Sequence, residues 1–167
     1  MERMSTIINR LAETALLLII SVMACVVFVE VLFRYALMLP LFWTEEFARY
    51  CLVWSSLLGA SVALKRGEHI AVAFFVDRIP GSMGPQAAFF VSIFIALFLT
   101  VILWGGVHLV TLTRHQLSPA MRIPMAWPYL AIPISSLIML IHELAFIHKR
   151  LQSMILSSGS RNEPVER

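Results

Sequence analysis

Long apolar stretches, separated by short polar clusters, dominate this chain. They cover about residues 11–33, 47–64, 87–112 and 125–147. An α-helix needs about 18 or more apolar residues to cross roughly 30 Å of hydrocarbon at about 1.5 Å per residue, and each stretch is that long. The pattern therefore predicts an all-α integral membrane protein, folded as one domain with four transmembrane helices.

A further apolar segment, residues 67–80, lies between the second and third predicted helices. It is too short to span the bilayer. We expect a short interfacial helix that lies in the membrane surface or packs beneath the bundle. Residues 81–85 then interrupt the chain with Gly and Pro. Residues 148–167 form a polar tail, which we expect in the cytoplasm.

The composition also favours a membrane protein. Of the 167 residues, 59% are apolar and 14% are charged, whereas about 25% are charged in a typical soluble domain. The mean hydropathy is +0.83. Such a chain has no room for a soluble catalytic domain, so we do not expect an enzyme. Cys25 and Cys51 lie within apolar stretches and are predicted to be packing residues. Basic runs are too short to indicate a nucleic-acid partner.

The placement of Lys and Arg predicts the orientation of the helices. With the N-terminus inside, nine of the 13 Lys and Arg residues fall on the inner side. The outer four are Arg34, Arg49, Arg114 and Arg122. Since Lys and Arg are enriched in cytoplasmic loops, both termini are predicted to lie in the cytoplasm. The first apolar stretch runs to Phe33, too long for a signal-peptide core, so we expect an uncleaved helix.

The start of the second helix combines interfacial and charged residues, namely Trp43, Thr44, Glu45, Glu46, Arg49 and Tyr50. Thr44 is a suitable N-cap, and two carboxylates in the first turn complement the positive helix end. Glu45 stands one turn before Arg49 and is the expected ion-pair partner. A well-built helix start explains most of this pattern. The functional alternative is a docking edge that faces the outer compartment.

The end of the second helix holds a second cluster. Small residues from Gly59 onward allow close helix approach. Arg66 stands in the last turn, where cations are favoured. Glu68 and His69 could pair with each other, cap the next helix or contact a partner subunit. No further ligand is near in sequence, so a metal site is not expected.

Prolines shape the third cluster, between the third and fourth helices. Pro119, Arg122 and Pro124 lie in an outer loop, and Pro133 lies within the fourth helix. Proline favours extended geometry in the loop and should kink the helix. The loop is either a rigid connector or a shaped outer surface for a soluble partner.

Two other functions suit a four-helix membrane protein. His108 and His142 suggest a haem or quinone anchor, but they lie on oppositely directed helices and differ in depth by over about 20 Å, too far to bind one iron. Glu13 suggests a stand-alone small multidrug exporter, but it lies close to the cytoplasmic end. Transport sites usually lie at broken helices in paired inverted repeats, and the chain shows no such repeat. We therefore expect no catalytic, substrate-binding or metal site and no cofactor.

Taken in order, these motifs resemble the small membrane subunit of tripartite ATP-independent periplasmic (TRAP) transporters, the DctQ-type family. The resemblance covers about residues 10–150, and the chain departs from the family pattern at Ala73 and Arg122. The matching motifs are Trp43-Thr44-Glu45-Glu46, Arg49-Tyr50, Trp54, Gly59-Ala60, Lys65-Arg66-Gly67-Glu68-His69-Ile70, Pro80, Pro119, Ile123-Pro124 and Pro133.

The resemblance implies a tripartite system in the bacterial inner membrane. A periplasmic binding protein captures an organic acid such as a dicarboxylate or sialic acid, and a large membrane subunit imports it with sodium. The small subunit would pair with the large one as a scaffold in the lipid bilayer and help to dock the binding protein. The candidate interface residues are Trp43, Glu45, Glu46, Arg49, Tyr50, Trp54, Gly59, Arg66, Glu68, His69, Pro119, Arg122 and Pro124.

Overall fold

The structure is a computed structural model that describes residues 2–67 and 84–159. These residues form five α-helices and one isolated β-bridge. The helices are α1 (Glu2–Ala36), α2 (Phe42–Gly67), α3 (Gly84–Thr113), α4 (Ala126–Tyr129) and α5 (Ala131–Gly159). Apart from Gly67, the predicted interfacial helix at residues 67–80 lies outside the described residues, as do Glu68 and His69.

Four segments are long and apolar enough to cross a membrane: Ser5–Ala36, Phe42–Arg66, Phe89–Thr113 and Ala126–Lys149. The predicted all-α fold with four transmembrane helices is confirmed. The segments contain 24 to 32 residues, which corresponds to about 36–48 Å at about 1.5 Å per residue. Three of them are longer than the apolar stretches of the sequence, because a helix can continue into the polar headgroup region, where apolar side chains are no longer required. The third segment, with 25 residues, has about the length that was predicted.

The helices pack in the order α1, α2, α5, α3, with α4 beside α3 and α5. The α1 helix also reaches α5, where Ser5 bonds to His142. Residues 37–41 and 114–125 connect the helices at one end of the bundle, which we call the loop end. The opposite end, where α1 begins and α5 finishes, is called the terminal end.

The interior of the bundle is small and polar, and its outer surface is apolar. Ser61 and Ser135 are almost completely buried. Their hydroxyls donate to helix carbonyls of the preceding turn, Ser61 to Leu58 at 2.7 Å and Ser135 to Ala131 at 2.5 Å. Hydrocarbon offers no hydrogen-bond partners, so such internal bonds satisfy the hydroxyls while small side chains let the helices approach.

The α1–α2 connection is only five residues long, residues 37–41. Met38 adopts the left-handed conformation with φ of 57°, and the Leu39 N–H donates to the Phe33 carbonyl at 3.1 Å, which satisfies one free carbonyl at the end of α1. The predicted N-cap at Thr44 is wrong. The α2 helix already begins at Phe42, and the Thr44 hydroxyl donates to the Leu41 carbonyl at 2.7 Å instead of capping a helix N–H.

Leu130 separates α4 from α5 in the fourth membrane segment, although its backbone angles stay helical, with φ of −57° and ψ of −22°. Pro133 has no N–H to donate to the carbonyl four residues earlier, and its ring crowds that carbonyl. That carbonyl belongs to Tyr129, the last residue of α4. The break therefore lies where proline geometry requires it.

The α3 helix approaches this break most closely at Gly106. A Cβ atom on Gly106 would lie 2.9 Å from Ile132 Cγ2 and 3.0 Å from Pro133 Cδ. The neighbouring Gly105 has no atom within 4 Å of the equivalent position. The absence of a side chain at residue 106 thus sets the distance between α3 and α5.

We expect Gly106→Ala to lower the melting temperature of the purified protein, because the added methyl group forces α3 away from Pro133. Overpacking of this kind costs about 1–3 kcal/mol. Gly105→Ala is the matched control and should melt no lower than the wild type, since Ala favours a helix over Gly. Equal melting temperatures for the two variants would contradict the assigned contact.

Candidate functional site

At the loop end, one arginine joins α1 to α2. The Arg34 guanidinium donates to Glu30 at 2.5 Å and to Glu45 at 2.6 Å. The first contact joins two residues four apart, one turn of α1. The second replaces the expected Glu45–Arg49 pair, because Glu45 faces α1 and meets the nearer cation there. Arg49 is exposed and forms no salt bridge with the described residues.

Glu46 is the buried acidic residue of α2 at this end, with 7% of its surface exposed. One carboxylate oxygen accepts the backbone N–H groups of Ala120 at 2.7 Å and Met121 at 3.1 Å. The other oxygen accepts the hydroxyl of Tyr50, one turn along α2. Consecutive backbone N–H groups form a favourable site for an anion, and hydrogen bonds to a charged acceptor are the stronger kind. We call this arrangement the Glu46 latch.

The latch holds a structured loop, residues 114–125. The Ser118 N–H donates to the Ile123 carbonyl at 2.9 Å, and the Met125 N–H donates to the Gln116 carbonyl at 2.8 Å. Between these two hydrogen bonds the chain reverses direction, and Arg122 takes a left-handed φ of 53°. The loop is therefore a compact turn fastened to α2 and not an extended segment.

The candidate prolines and arginine of this loop occupy different positions. Pro119 and Arg122 are exposed, whereas Pro124 is half-buried and forms the β-bridge with Leu117. The extended geometry expected from the prolines is thus limited to the residues around the single β-bridge between Leu117 and Pro124. The Arg122 side chain is exposed on the loop.

An apolar groove runs below the latch along α1, α2 and α4, with a volume of about 450 Å³. Tyr50 and Trp54 line it from α2, and both are half-buried. Leu18 lines it from α1, and Trp127 of α4 lines it near the loop end. Trp43 lies outside the groove, where its ring packs edge-on against Phe47 at 6.4 Å.

The remaining candidates lie nearer the terminal end. Arg66 pairs with Glu13 at 2.8 Å, and Glu13 also accepts the Asn9 amide at 2.7 Å. Gly59 does not mark a tight approach, since a Cβ atom there would lie 3.9 Å from Leu16, an ordinary contact. Glu13 is thus held by partners on both α1 and α2.

A buried histidine links three helices at the terminal end. His142 of α5 is 2% exposed, and its Nδ1 lies 2.8 Å from the Ser5 hydroxyl of α1. The Lys65 ammonium of α2 donates to the same hydroxyl at 2.9 Å. His108 is exposed on α3. Within residues 2–67 and 84–159, no group of three His, Cys, Asp or Glu residues is placed to hold a metal ion.

Sequence reasoning missed both the latch and the histidine contact. It selected Glu46 for its favourable position near a helix start, but the hydrogen-bonded N–H groups belong to a loop 74 and 75 residues later. Backbone N–H groups have no sequence signature, so only the fold brings them to Glu46. The polar character of Ser5 and Lys65 was visible in the sequence, whereas their partner on α5 was not.

Four apolar helices with a small, polar interior define a multi-pass membrane protein. The model of the DctQ component of tripartite ATP-independent periplasmic transporters matches residues 23–153. The chain belongs to this family. It is a transporter component and not an enzyme.

Individual relatives agree with the family. The sialic acid TRAP transporter small permease protein of Vibrio cholerae is 23% identical over 166 residues, which cover 96% of this chain and 92% of the relative. A putative TRAP transporter small permease protein of Haemophilus influenzae is 25% identical over 138 residues, which cover 83% of this chain and 86% of the relative.

A longer relative matches over part of its length. The isethionate TRAP transporter permease protein DctMQ of Oleidesulfovibrio alaskensis is 35% identical over 95 residues. These cover 56% of this chain but only 15% of that protein. A region similar to this chain therefore occurs within a much longer permease polypeptide.

We expect Glu46→Ala to release the loop while the helices stay folded. Hydrogen bonds to charged groups contribute about 1.5–3 kcal/mol, so amide exchange at Ala120 and Met121 should accelerate about tenfold or more. Hydrogen–deuterium exchange of the loop peptide measures this change. Glu45→Ala is the matched control, because its carboxylate contacts Arg34 and not the loop. Unchanged exchange in the Glu46 variant would show that the latch does not hold the loop.

Proposed function

We propose that this chain is the small membrane subunit of a TRAP transporter in a bacterial inner membrane. It packs beside a large membrane subunit as a fixed scaffold, and the large subunit carries out sodium-coupled uptake of an organic acid. Family membership over residues 23–153 is the observation that carries this proposal. The relatives are named for sialic acid, isethionate, ectoine and C4-dicarboxylate transporters, so the substrate class stays broad.

The partners of the buried carboxylates at the loop end support a scaffold role, in which this chain does not itself couple ions to transport. Three carboxylates are buried within the described membrane-spanning segments, and buried acidic residues there are the usual candidates for ion coupling. Glu143 of α5 interacts with a neighbouring group, and the other two are Glu30 and Glu46 at the loop end. Both are engaged by groups of this chain, Glu30 by Arg34 and Glu46 by the latch. Both carboxylates already have partners within the chain, so neither is available to bind a transported ion. The transport step is therefore assigned to the partner.

The orientation follows from the distribution of cations. We propose that the terminal end lies in the cytoplasm, because six of the ten Lys and Arg residues that the structure describes lie at that end. The loop end, with the Glu46 latch, then faces the periplasm. A soluble substrate-binding protein would dock there, on the surface that the loop and the start of α2 provide.

We propose that the large subunit binds in the apolar groove. It is concave, lies at membrane depth and is lined by Tyr50 and Trp54, aromatic side chains of the kind that dominate binding surfaces. Without a hydrophobic force between helices in lipid, association depends on close packing, which a concave surface favours. A small-subunit-like region within a longer permease protein also favours a membrane partner.

The proposal predicts that the tagged chain co-purifies with a large hydrophobic partner from native membranes. Proteoliposomes that contain both subunits, together with the soluble binding protein, should take up the organic acid in a sodium gradient. The chain alone should take up none. Recovery of the chain only as a monomer or homodimer, or uptake by the chain alone, would refute the scaffold role.

A photo-crosslinking amino acid at residue 18 should crosslink to the large subunit, because Leu18 lines the groove. Residue 101 on α3 is the matched control, since Leu18 and Val101 have the same 62% exposure and Val101 lies outside the groove. Crosslinked products are identified by mass spectrometry after illumination of membranes. Crosslinks from residue 101 alone would place the partner on the other side of the bundle.

A further inference from the structure

We propose that the loop end carries a cationic docking surface for an acidic face of the soluble binding protein. The surface consists of three arginines, Arg49, Arg114 and Arg122, and we call it the arginine rim. The Glu46 latch positions it. This inference rests on the proposed function, and it adds the chemistry by which the partner is recognised.

The charges of the loop end leave these arginines available. Among residues 2–67 and 84–159, three carboxylates lie at this end, Glu30, Glu45 and Glu46. The first two are bound by Arg34, and the third is bound by the latch. All three arginines of the rim are exposed, and none forms a salt bridge with the described residues. Counted over the described residues, this end has four arginines, Arg34 and the three of the rim, against three glutamates, so its net formal charge is +1.

The three arginines are placed around one structural unit. Arg49 follows Glu46 by three residues on α2, so the two side chains lie on the same face of the helix. Arg114 begins the loop directly after α3, and its Nε donates to His115 at 2.9 Å. Arg122 lies in the turn that the latch holds against α2. Arg114 and Arg122 thus belong to the loop itself, and Arg49 is exposed on α2 one turn after the residue that holds the loop.

The backbone at Arg122 points to a function for its side chain. A left-handed φ of 53° is unfavourable for any residue with a Cβ atom, and glycine would adopt it more easily. Strained backbone of this kind is concentrated at functional sites. Here the strain presents a guanidinium at the outside of the turn. Anionic lipid headgroups could also attract arginines, but a mobile lipid surface does not require a fixed turn, so we assign the rim to a protein partner.

The Glu46 latch orders the loop that carries Arg122 before the partner binds. Ordering a loop during binding lowers affinity, and a loop that is already ordered avoids this loss. Ala120 and Met121 are fixed by Glu46, next to Arg122 in the chain. Glu46 is accordingly a positioning residue for the rim and does not contact the partner itself.

The test measures the affinity of the purified soluble binding protein for the two-subunit membrane complex in nanodiscs of zwitterionic lipid. Arg122→Glu combined with Arg49→Glu should weaken binding about tenfold or more at low salt, since charge complementarity governs such contacts. The wild-type affinity should fall as salt rises, and the variant should be less sensitive. Arg10→Gln, a charge change at the terminal end, is the control and should bind like the wild type.

Two single variants separate charge from strain. Arg122→Gly relieves the left-handed backbone, so the complex should be at least as stable, yet binding should weaken. Arg122→Lys keeps the charge and should retain affinity to within about threefold. Substituting Lys for acidic residues on the binding protein should restore affinity for the doubly charge-reversed complex. These results together would identify the partner face as acidic.

Failure of this inference is distinguishable from failure of the proposed function. If no two-subunit complex forms, the proposed function fails. If the complex forms and binds the soluble protein equally well with all rim variants, the arginine rim is refuted and the subunit role stands. If binding is unchanged but anionic lipid in the nanodiscs is retained only by the wild type, the rim faces lipid and the docking assignment is overturned.

Discussion

A carboxylate removed from water inside a membrane bundle must obtain its hydrogen bonds from the protein, and Glu46 meets this requirement through three donors. Two of the donors are backbone groups of a loop, so the need to satisfy one side chain determines the path of twelve residues. The third is Tyr50, which extends the contact along α2 to the groove. The latch therefore connects the water-facing end of the protein to its membrane-facing side.

The same constraint explains why polar groups, and not large apolar ones, fill much of the interior. In lipid the outer surface is already in an apolar solvent, so burial of leucine inside gains little. Close contact is available instead where side chains are absent or small, as at Gly106 beneath Pro133 and around Ser61. Charge pairs then join helices near the ends of the bundle, Arg34 at the loop end and Arg66 at the other.

Much of the fold could be predicted from the sequence, because membrane-spanning helices depend on a property of individual residues, their transfer to hydrocarbon. The partners of the charged residues could not be predicted in the same way. Glu45 has an arginine one turn away on its own helix, yet it pairs across to α1, and Gly59 proved to be an ordinary contact. Pro133 was informative because its effect is local: the helix breaks at the carbonyl that the missing N–H leaves without a donor.

The short α1–α2 connection has a consequence for the assembly of the protein in the membrane. Arg34 bonds to two carboxylates, Glu30 and Glu45, which come from different helices, so it pairs with Glu45 only when α2 lies beside α1. The second helix also contains Arg49 and is the least apolar of the four membrane segments. The two helices thus enter the lipid together, as a helical hairpin. Insertion of α2 costs less free energy when α1 lies beside it, because Arg34 of α1 then pairs with Glu45 of α2.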